Sequence, residues 1–465
     1  MLRKIRIAAA AFFFVLTTLL FLDFTGTLHA WFGWMAKIQF LPALLALNVG
    51  VVAFLVILTL LFGRVYCSVI CPLGVMQDIV SWASGKRRKH RNRFAYSPAL
   101  TWLRRGMLVV FVAAMLAGVG SLLAPYSAYG RIASNLLAPV YAWGNNLLAY
   151  IAGRMDSYAF YSVDVWMKSL STLLVAVVTF AVLFVLAWRS GRTYCNTICP
   201  VGTVLGFLAR YSLFKPRFDT SKCNGCKLCA RNCKASCIDP AAHKIDYSRC
   251  VACMDCLENC RQGAITYTLR RRKPDPAPAP QRPAADAAKT PSDASRRRFL
   301  GLAGIVAYSA LRAQEKKVDG GLAVIVDKKI PNRATPVVPP GAQSLRLFNA
   351  HCTGCQLCVS VCPNQVLRPS GKLMTLMQPE MSFERGYCRP ECTKCAEVCP
   401  TGAIRLTDLA GKSSIQIGHA VWIAENCEVN TDGVSCNNCA RHCPAGAIKM
   451  VRRDPDDPKS PRIPA

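Results

Sequence analysis

Two cysteine runs near the middle of the chain share one spacing. Each has the form C-x2-C-x2-C-x3-C, and they begin at Cys223 and Cys250. In bacterial ferredoxins, three thiolates at this spacing bind one [4Fe–4S] cluster, and the fourth binds the other cluster. We therefore expect two clusters that exchange their fourth ligands. The expected sets are Cys223, Cys226, Cys229 and Cys260 for one cluster, and Cys250, Cys253, Cys256 and Cys233 for the other.

The cysteine usage of the whole chain favours metal clusters. There are 25 cysteines among 465 residues, and nearly all fall into spaced groups of four. Zinc sites rarely use two such runs in tandem, and a disulfide framework needs no such regularity. No C-x-x-C-H motif is present, so c-type haem is not expected. For the spare Cys237 we expect a small buried apolar side chain, with ligation in place of Cys233 as the alternative.

Three further groups of four cysteines lie towards the C-terminus. Their first gap varies, but each ends in C-x2-C-x3-C-P. We expect three more [4Fe–4S] clusters, with one [3Fe–4S] cluster as the alternative, and the pairing of the three runs stays open. His351 and His442 adjoin these cysteines and are expected as neighbours rather than ligands. The cysteines are Cys352, Cys355, Cys358, Cys362, Cys388, Cys392, Cys395, Cys399, Cys427, Cys436, Cys439 and Cys443.

The first 215 residues contain four long apolar runs. A membrane-crossing helix needs roughly 20 apolar residues, and each run is long enough, although the first has the alternative of a signal peptide. None contains histidine, so a haem b in the bilayer is not expected. Without haem, we find no protein-bound carrier across the roughly 30 Å of hydrocarbon. The runs cover about 6–23, 39–63, 99–124 and 167–188.

Basic residues flank these runs unevenly. The formal net charge is +31, and its position beside apolar runs favours membrane orientation over nucleic-acid binding. Lys and Arg concentrate at the N-terminus, in residues 64–98 and after the fourth run. The positive-inside rule therefore predicts that these parts and the first ferredoxin domain are cytoplasmic.

A twelve-residue repeat follows the second and the fourth apolar run. The segments 63–74 and 191–202 are identical at eight positions, including two cysteines in the form Cys-x3-Cys-Pro. Cysteines four residues apart share one face of a helix, so the four thiols are a possible further redox or metal site, as one cluster or as two dithiols. Packing repeats with incidental cysteines are the alternative. The four are Cys67, Cys71, Cys195 and Cys199.

A Pro/Ala-rich linker covers residues 270–298, and a twin-arginine-like signal or anchor covers 295–313. Three arginines, Phe-Leu and a short apolar stretch make up the latter. Because the twin-arginine route carries folded, cluster-loaded domains, this predicts export of the C-terminal third. The alternative is a short amphipathic helix on the inner membrane surface.

In their order along the chain, these features resemble two known protein families. Residues 1–270 resemble the NapH type of membrane ferredoxin, with the NosR and CcoG groups related. Residues 295–450 resemble NapG, but show three cysteine runs where that family implies four. The resemblance implies quinol oxidation by a membrane-bound partner. The segment Ala124–Arg131 is a candidate quinone lining or a packed re-entrant loop.

The expected fold is an α-helical membrane domain of four transmembrane helices with two α+β bacterial-type ferredoxin domains. The cytoplasmic two-cluster domain occupies 216–269. The second ferredoxin domain, which contains three cysteine runs, occupies 341–452. It is expected to lie in the periplasm, with the whole chain in the inner membrane of a bacterium.

The expected function is a quinol dehydrogenase-like relay from the quinone pool to a periplasmic reductase such as nitrate reductase. Membrane lipid, the quinone pool and a periplasmic oxidoreductase or small cytochrome are the expected partners. No catalytic acid, base or nucleophile is expected. The alternatives are a NosR- or CcoG-like maturation or regulatory protein that supplies electrons for metal-centre assembly, and a relay with both ferredoxin domains in the cytoplasm.

Overall fold

The computed structural model divides the chain into two compact units, Met1–Ser413 and Ser414–Ala465. The boundary falls inside the predicted 341–452 domain. The linker and the twin-arginine-like segment lie outside the described residues. The structure describes residues 1–87, 93–118, 122–165, 167–269, 335–384, 386–418, 422–443 and 446–464.

The N-terminal part of the first unit is helical. It contains thirteen α-helices in its described residues, and a π-helical turn at Ala133–Leu137 joins the ninth to the tenth. The helices are α1 (Leu2–Leu22), α2 (Thr27–Phe32), α3 (Trp34–Lys37), α4 (Phe40–Leu45), α5 (Val49–Phe62), α6 (Val65–Val69), α7 (Pro72–Gly85), α8 (Thr101–Leu116), α9 (Pro125–Ile132), α10 (Ala138–Arg154), α11 (Leu170–Ser190), α12 (Thr193–Thr197) and α13 (Pro200–Ala209).

Two helices of the described chain, α1 and α11, are long and apolar enough to cross a membrane. The expectation of four such helices is therefore not met. The run 39–63 is divided because Leu47 takes a left-handed conformation with φ 53°, which leaves α5 with 14 residues. The run 99–124 yields the 16-residue α8, whose first turns carry the buried Arg104.

The two repeats fold in the same way. Gly63 and Gly191 end α5 and α11 with φ of 73° and 68°, a conformation that glycine adopts without steric cost. A five-residue helix follows in each copy, and the proline of each Cys-Pro pair then begins α7 or α13. Proline suits the first position of a helix because the amide there has no partner within the helix.

The first ferredoxin domain follows as a small α+β fold. Strand β1 (Phe214–Phe218) pairs antiparallel with β4 (Ile265–Leu269), and β2 (Ile238–Asp239) pairs with β3 (Lys244–Ile245). The short helices α14 (Leu228–Arg231) and α15 (Asp255–Asn259) each begin within a cysteine run. Its buried core includes Cys233, and the partly buried Cys250 and Cys256 of the second run pack against it, so the expected cluster ligands and the core occupy the same small volume.

The second ferredoxin part of the first unit is also built from short helices and one pair of short strands. The strands β5 and β6 form an antiparallel pair in which Leu367 faces Met381. Its elements are α16 (Leu345–His351), α17 (Leu357–Val361), β5 (Leu367–Pro369), β6 (Pro379–Met381), α18 (Lys394–Glu397) and α19 (Leu409–Ser414).

The second unit carries the last cysteine run on short elements. The strands β7 and β8 pair antiparallel, with Val451 facing Ile463. Its elements are α20 (Glu428–Thr431), α21 (Asn438–Arg441), β7 (Met450–Arg452) and β8 (Arg462–Pro464).

Within the first unit, the two ferredoxin parts lie at opposite ends of α1. At its start, Arg3 contacts Asp255 at 2.9 Å. Just beyond its end, the carbonyl of Thr25 accepts a hydrogen bond from Lys394 at 3.1 Å. A helix of 21 residues is about 31 Å long, so the helical bundle separates the two cysteine-rich parts.

Candidate iron–sulfur sites

The first ferredoxin domain brings its cysteines together in the two expected sets. Cys229 interacts electrostatically with Cys223, Cys226 and Cys260, and burial raises its pKa to about 11. The other four thiols, Cys233, Cys250, Cys253 and Cys256, line one pocket. The fourth cysteine of each run thus reaches the opposite set, which is the arrangement of a two-cluster ferredoxin.

The spare Cys237 is buried as expected, with 1% exposure, and it lies beside the second thiol set. Its sulfur lies 3.6 Å from the sulfur of Cys233, and it lines the pocket of the second thiol set. Cys237 is thus a buried side chain placed directly against the thiols of this set.

The second ferredoxin part shows a pairing that the cysteine spacing left open. Cys358 interacts electrostatically most strongly with Cys355, Cys352 and Cys399, and less with Cys395 of the other set. Burial raises the pKa of Cys355 to about 12. The first run of this part therefore takes its fourth thiol from the second run.

The converse exchange is present as well. Cys395 interacts with Cys388, Cys362 and Cys392, and burial raises its pKa to about 12. The same four thiols line one pocket. The first two C-terminal runs thus form a two-site domain, and the third run, Cys427 to Cys443, lies in the second unit.

The four repeat cysteines converge in the interior of the helical bundle. All are buried, with exposures of 5–6%. Cys199 interacts electrostatically with Cys195, Cys71 and Cys67, and burial, followed by the neighbouring Cys67 and Cys195, raises the pKa of Cys71 to about 12. The structure therefore favours a common site over cysteines placed there incidentally.

Hydrogen-bond donors surround these sulfurs. The side-chain amide of Gln77 lies 3.3 Å from the sulfur of Cys195, and the backbone N–H of Gly202 lies 3.4 Å from that of Cys199. Arg64 reaches the sulfur of Cys67 at 3.8 Å. Donors directed at sulfur stabilise thiolates and tune the potential of a bound cluster.

A buried ion-pair network joins the repeats to the first ferredoxin domain. Asp78 of α7 contacts Arg6 and Arg192 at 2.9 Å each and Lys234 at 3.4 Å. Burial alone would raise the pKa of Asp78, but these three cations hold it well below its usual range. Lys234 also contacts Asp255 at 3.0 Å, so it bridges the two parts.

Sequence reasoning missed this network. The available signal was Lys234, because it directly follows a ligand cysteine, Cys233, at a position where many ferredoxins have proline. A lysine cannot be assigned a role from that substitution alone, since its acidic partners lie far away in sequence.

The segment Ala124–Arg131 does not form an open lining. All residues of α9 are buried, and a side chain on Gly130 would overlap the carbonyl of Cys355 and approach Phe21 to 2.9 Å. Asn135, just beyond α9, donates to Gln356 at 2.9 Å. The second ferredoxin part therefore packs against this part of the bundle, and the segment is a buried helix rather than a loop.

The donor sets fit iron–sulfur clusters. Two of the thiol sets line a pocket and the repeat set is buried, and such clusters are held by four cysteines. Among the described residues, no three Cys, His, Asp or Glu side chains converge closely enough to hold a single metal ion. A bound cluster supplies one-electron redox chemistry, and the surrounding chain supplies ligands, burial and charge.

Comparison with known protein families agrees with this chemistry. A 4Fe-4S binding domain matches residues 44–90 and 172–221, which contain the two repeats. A 4Fe-4S dicluster domain matches residues 351–403, which contain the exchanged pair of C-terminal runs.

Three curated proteins are similar to parts of the chain. The uncharacterized protein MJ0749 of Methanocaldococcus jannaschii is 25% identical over 46% of this chain and 68% of its own length. The methylamine utilization ferredoxin-type protein MauN of Paracoccus denitrificans is 28% identical over 37% of this chain and 48% of its own. The ferredoxin-type protein NapH of Escherichia coli is 29% identical over 42% and 55%.

The chain therefore spans about half the length of MauN and NapH. No solved structure matches it. The domains and the thiol sets define the class as iron–sulfur electron-transfer proteins of the ferredoxin type. Within that class, this chain is related to NapH and MauN.

Proposed function

We propose that this protein is a membrane-bound relay that carries electrons from the quinone pool to a periplasmic oxidoreductase such as a nitrate reductase. One observation carries the proposal: two ferredoxin parts occupy opposite ends of one helical bundle. The length of α1, about 31 Å, equals the thickness of the hydrocarbon core. A protein built in this way presents clusters to both sides of a membrane.

The ends of the other long helices support the same arrangement. In α8, Arg104 near the start donates to the carbonyl of Ser248 in the first ferredoxin domain at 3.2 Å. The carbonyl of Gly118, beyond its end, accepts from Gln378 of the second ferredoxin part at 3.2 Å. Before α11, Lys168 donates to the carbonyl of Val359 at 3.4 Å.

The outer surface of the bundle suits lipid. Phe54 on α5, Val109 on α8 and Val178 on α11 are 58%, 67% and 60% exposed. Large apolar surfaces of this kind are unusual on proteins that face water. We propose that α5 and α8 cross the membrane beside α1 and α11, their shorter lengths being extended by the turns at their ends.

The proposed orientation follows from charge and from the linker region. Basic residues next to the first ferredoxin domain favour its cytoplasmic location. The second ferredoxin part then lies in the periplasm, and the twin-arginine-like segment at 295–313 supplies a route for its export. The fusion of a NapH-like half with a NapG-like half gives one chain both positions.

In this function, quinol is the electron donor, and its oxidation to quinone releases two electrons and two protons. Bound clusters would supply one-electron acceptors, so the two electrons of each quinol would require two of them. The chain's own cysteines would hold the clusters, and substrate chemistry belongs to the periplasmic partner.

A topology measurement tests the two-sided arrangement. A reporter that is active only in the periplasm is fused after Ala465, in the unmodified chain and in an Arg296→Lys/Arg297→Lys variant. We expect activity in the first and its loss in the second, whereas Arg271→Lys/Arg272→Lys provides a matched control in another basic run. A cytoplasmic C-terminus in the unmodified chain refutes the arrangement.

The electron donor is tested separately. Membranes containing the protein are mixed with a short-chain quinol under anaerobic conditions, and cluster reduction is followed by electron paramagnetic resonance. We expect signals of reduced clusters from the unmodified chain and fewer from a Cys226→Ser variant. No reduction by quinol, when dithionite reduces the same clusters, rules out the quinone pool as the donor.

A further inference from the structure

We propose that Cys67, Cys71, Cys195 and Cys199 bind one iron–sulfur cluster, shared by both repeats, that lies between the two ferredoxin parts and passes electrons between them. The proposal of a shared cluster is supported by the geometry of the repeats. Its role as a bridge rests on the relay function proposed above.

All four thiols belong to one group. Cys199 interacts electrostatically with the other three, Cys71 interacts with Cys67 and Cys195, and Cys195 interacts with Cys67. Every pair is therefore represented, including all the pairs that join the two repeats. Two separate dithiol sites would not require the cross-repeat pairs.

Each repeat also contacts the backbone of the other repeat next to the thiols. Arg64 of the first repeat donates to the carbonyl of Cys195 at 3.1 Å, and Arg192 of the second donates to the carbonyl of Cys67 at 2.6 Å. Gly74 and Gly202 leave room for these guanidinium groups, which lie 2.7 and 2.9 Å from the position of an added side-chain carbon. The repeated Gly, Arg and Cys residues thus build one enclosure.

The charges around the site call for an anionic occupant. Arg64 and Arg192 are both fully buried. Arg192 pairs with Asp78, whereas no carboxylate pairs with Arg64 among the described residues. In the same part of the chain, Nε of Arg64 and Nη2 of Arg192 have no hydrogen-bond partner. Four thiolates around an iron–sulfur core supply the negative charge that buried cations need.

One side of the site adjoins the first ferredoxin domain. Arg64 donates to the carbonyls of Ser248 and Arg249 at 3.2 and 3.4 Å, and these residues directly precede the ligand Cys250. Arg64 also interacts electrostatically with Cys250 itself. A single side chain therefore contacts both the repeat thiols and the edge of the second cluster pocket.

The other side adjoins the second ferredoxin part. Tyr194 interacts electrostatically with Cys199 and with Arg131, and Arg131 interacts with Tyr194 and with Cys355. The hydroxyl of Tyr194 donates to the carbonyl of Leu123 at 3.2 Å, which fixes the ring next to α9. Tyr194 and Arg131 thus connect the repeat thiols to a thiol of the second ferredoxin part.

This placement divides one long electron transfer into two shorter ones, and electron-transfer rates fall steeply with distance. In each step one electron leaves the reduced centre, which is oxidised by one unit, and enters the next centre, which is reduced by one unit. No bond is formed or broken, and no proton is required.

Iron analysis tests the shared cluster. Iron and acid-labile sulfide are measured per chain in Cys71→Ser, in Cys199→Ser and in the double variant of the anaerobically purified protein. We expect each single variant to lose the same amount, about four iron atoms, and the double variant to lose no more. Cys226→Ser, in the first ferredoxin domain, is the control that loses a different cluster.

Other results of the iron analysis distinguish a shared cluster from separate sites. Losses that add in the double variant indicate two separate sites and overturn the shared cluster, as does unchanged iron in all three variants. A common loss of about two iron atoms still supports one shared cluster, of the smaller [2Fe–2S] type.

The bridging role has its own readout. In the double variant, clusters of one ferredoxin part should still be reduced by the quinol, while those of the other part stay oxidised for at least tenfold longer than in the unmodified chain. Equal reduction of both parts in the variant overturns the bridge. If quinol reduces no cluster even in the unmodified chain, the proposed donor is wrong, and the iron analysis still tests the shared cluster.

Discussion

Arg64 in the first repeat donates a hydrogen bond to the carbonyl oxygen of Cys195 in the second, at 3.1 Å. Arg192 makes the equivalent contact with the carbonyl of Cys67. Because both arginines are fully buried, each repeat satisfies polar groups of the other. The identical arginine, first cysteine and last glycine of the repeat are therefore explained by mutual contact, and neither copy is expected to fold alone.

Replacing Arg64 by Met should destabilise the protein. The substitution leaves the carbonyls of Cys195 and Ser248 without this donor, and an unsatisfied buried polar group costs about 1–3 kcal/mol. We expect a clearly lower thermal midpoint of the purified protein and a faster loss of cluster absorbance. Arg105→Met changes an exposed arginine on α8 and should alter neither quantity. Equal midpoints for the two variants would show that the Arg64 contacts carry little energy.

Gly202→Ala tests how closely the repeats approach each other. Alanine favours a helix by about 1 kcal/mol over glycine, but its side chain here would overlap the carbonyl of Cys195 and lie 2.9 Å from Arg64. Overpacking of this kind costs about 1–3 kcal/mol, so we expect a lower unfolding midpoint and less bound iron.

Gly144→Ala is the matched control for this substitution. Gly144 also lies within a helix, α10, but an added side-chain carbon there has no atom within 4 Å. This variant should be as stable as the unmodified protein or slightly more stable. A stable, fully loaded Gly202→Ala protein would contradict the close packing of the two repeats.

The cysteine spacing alone predicted both thiol sets of the first ferredoxin domain, and the structure brings those thiols together. Local spacing suffices there because a cluster requires a fixed set of nearby ligands. The exchange between Cys362 and Cys399 was not predictable, because three similar runs allow several pairings. Only contacts distant in sequence decide between them.

The helical part shows the same limit. Hydropathy located the apolar runs, but it gave no sign of the left-handed Leu47 or of the inward Arg104. Both depend on tertiary packing, and Arg104 is held by Ser248 of another domain. The docking role of Lys234 was hidden for the same reason, since Asp78 lies far from it in sequence.

Asp78→Asn should weaken the attachment of the first ferredoxin domain. Removing one partner of a buried ion pair typically costs about 3–5 kcal/mol, and Asp78 holds Arg192 and Lys234. We expect a lower unfolding midpoint at pH 7. Asp219→Asn, which alters an exposed carboxylate, should have little effect.

The pH dependence of this difference has a defined sign. The folded pKa of Asp78 lies below its usual range, so its contribution is fully present above about pH 4 and is lost as the pH falls through the folded pKa. The unmodified protein and the variant should therefore differ by the same amount from pH 8 down to pH 5. A difference that vanishes within this interval would argue against an ionised, paired Asp78.

Gly130→Ala should loosen the second ferredoxin part while leaving the first intact. Gly130 lies in α9, where alanine is acceptable to the helix, but an added side chain would overlap the carbonyl of Cys355 and approach Phe21 to 2.9 Å. The contact must open for the substitution to fit. Hydrogen exchange should accordingly rise around α17 and stay unchanged around α15. Gly153→Ala, with open space around it, is the matched control. Unchanged hydrogen exchange at α17 in Gly130→Ala would contradict the packing of the second ferredoxin part against α9.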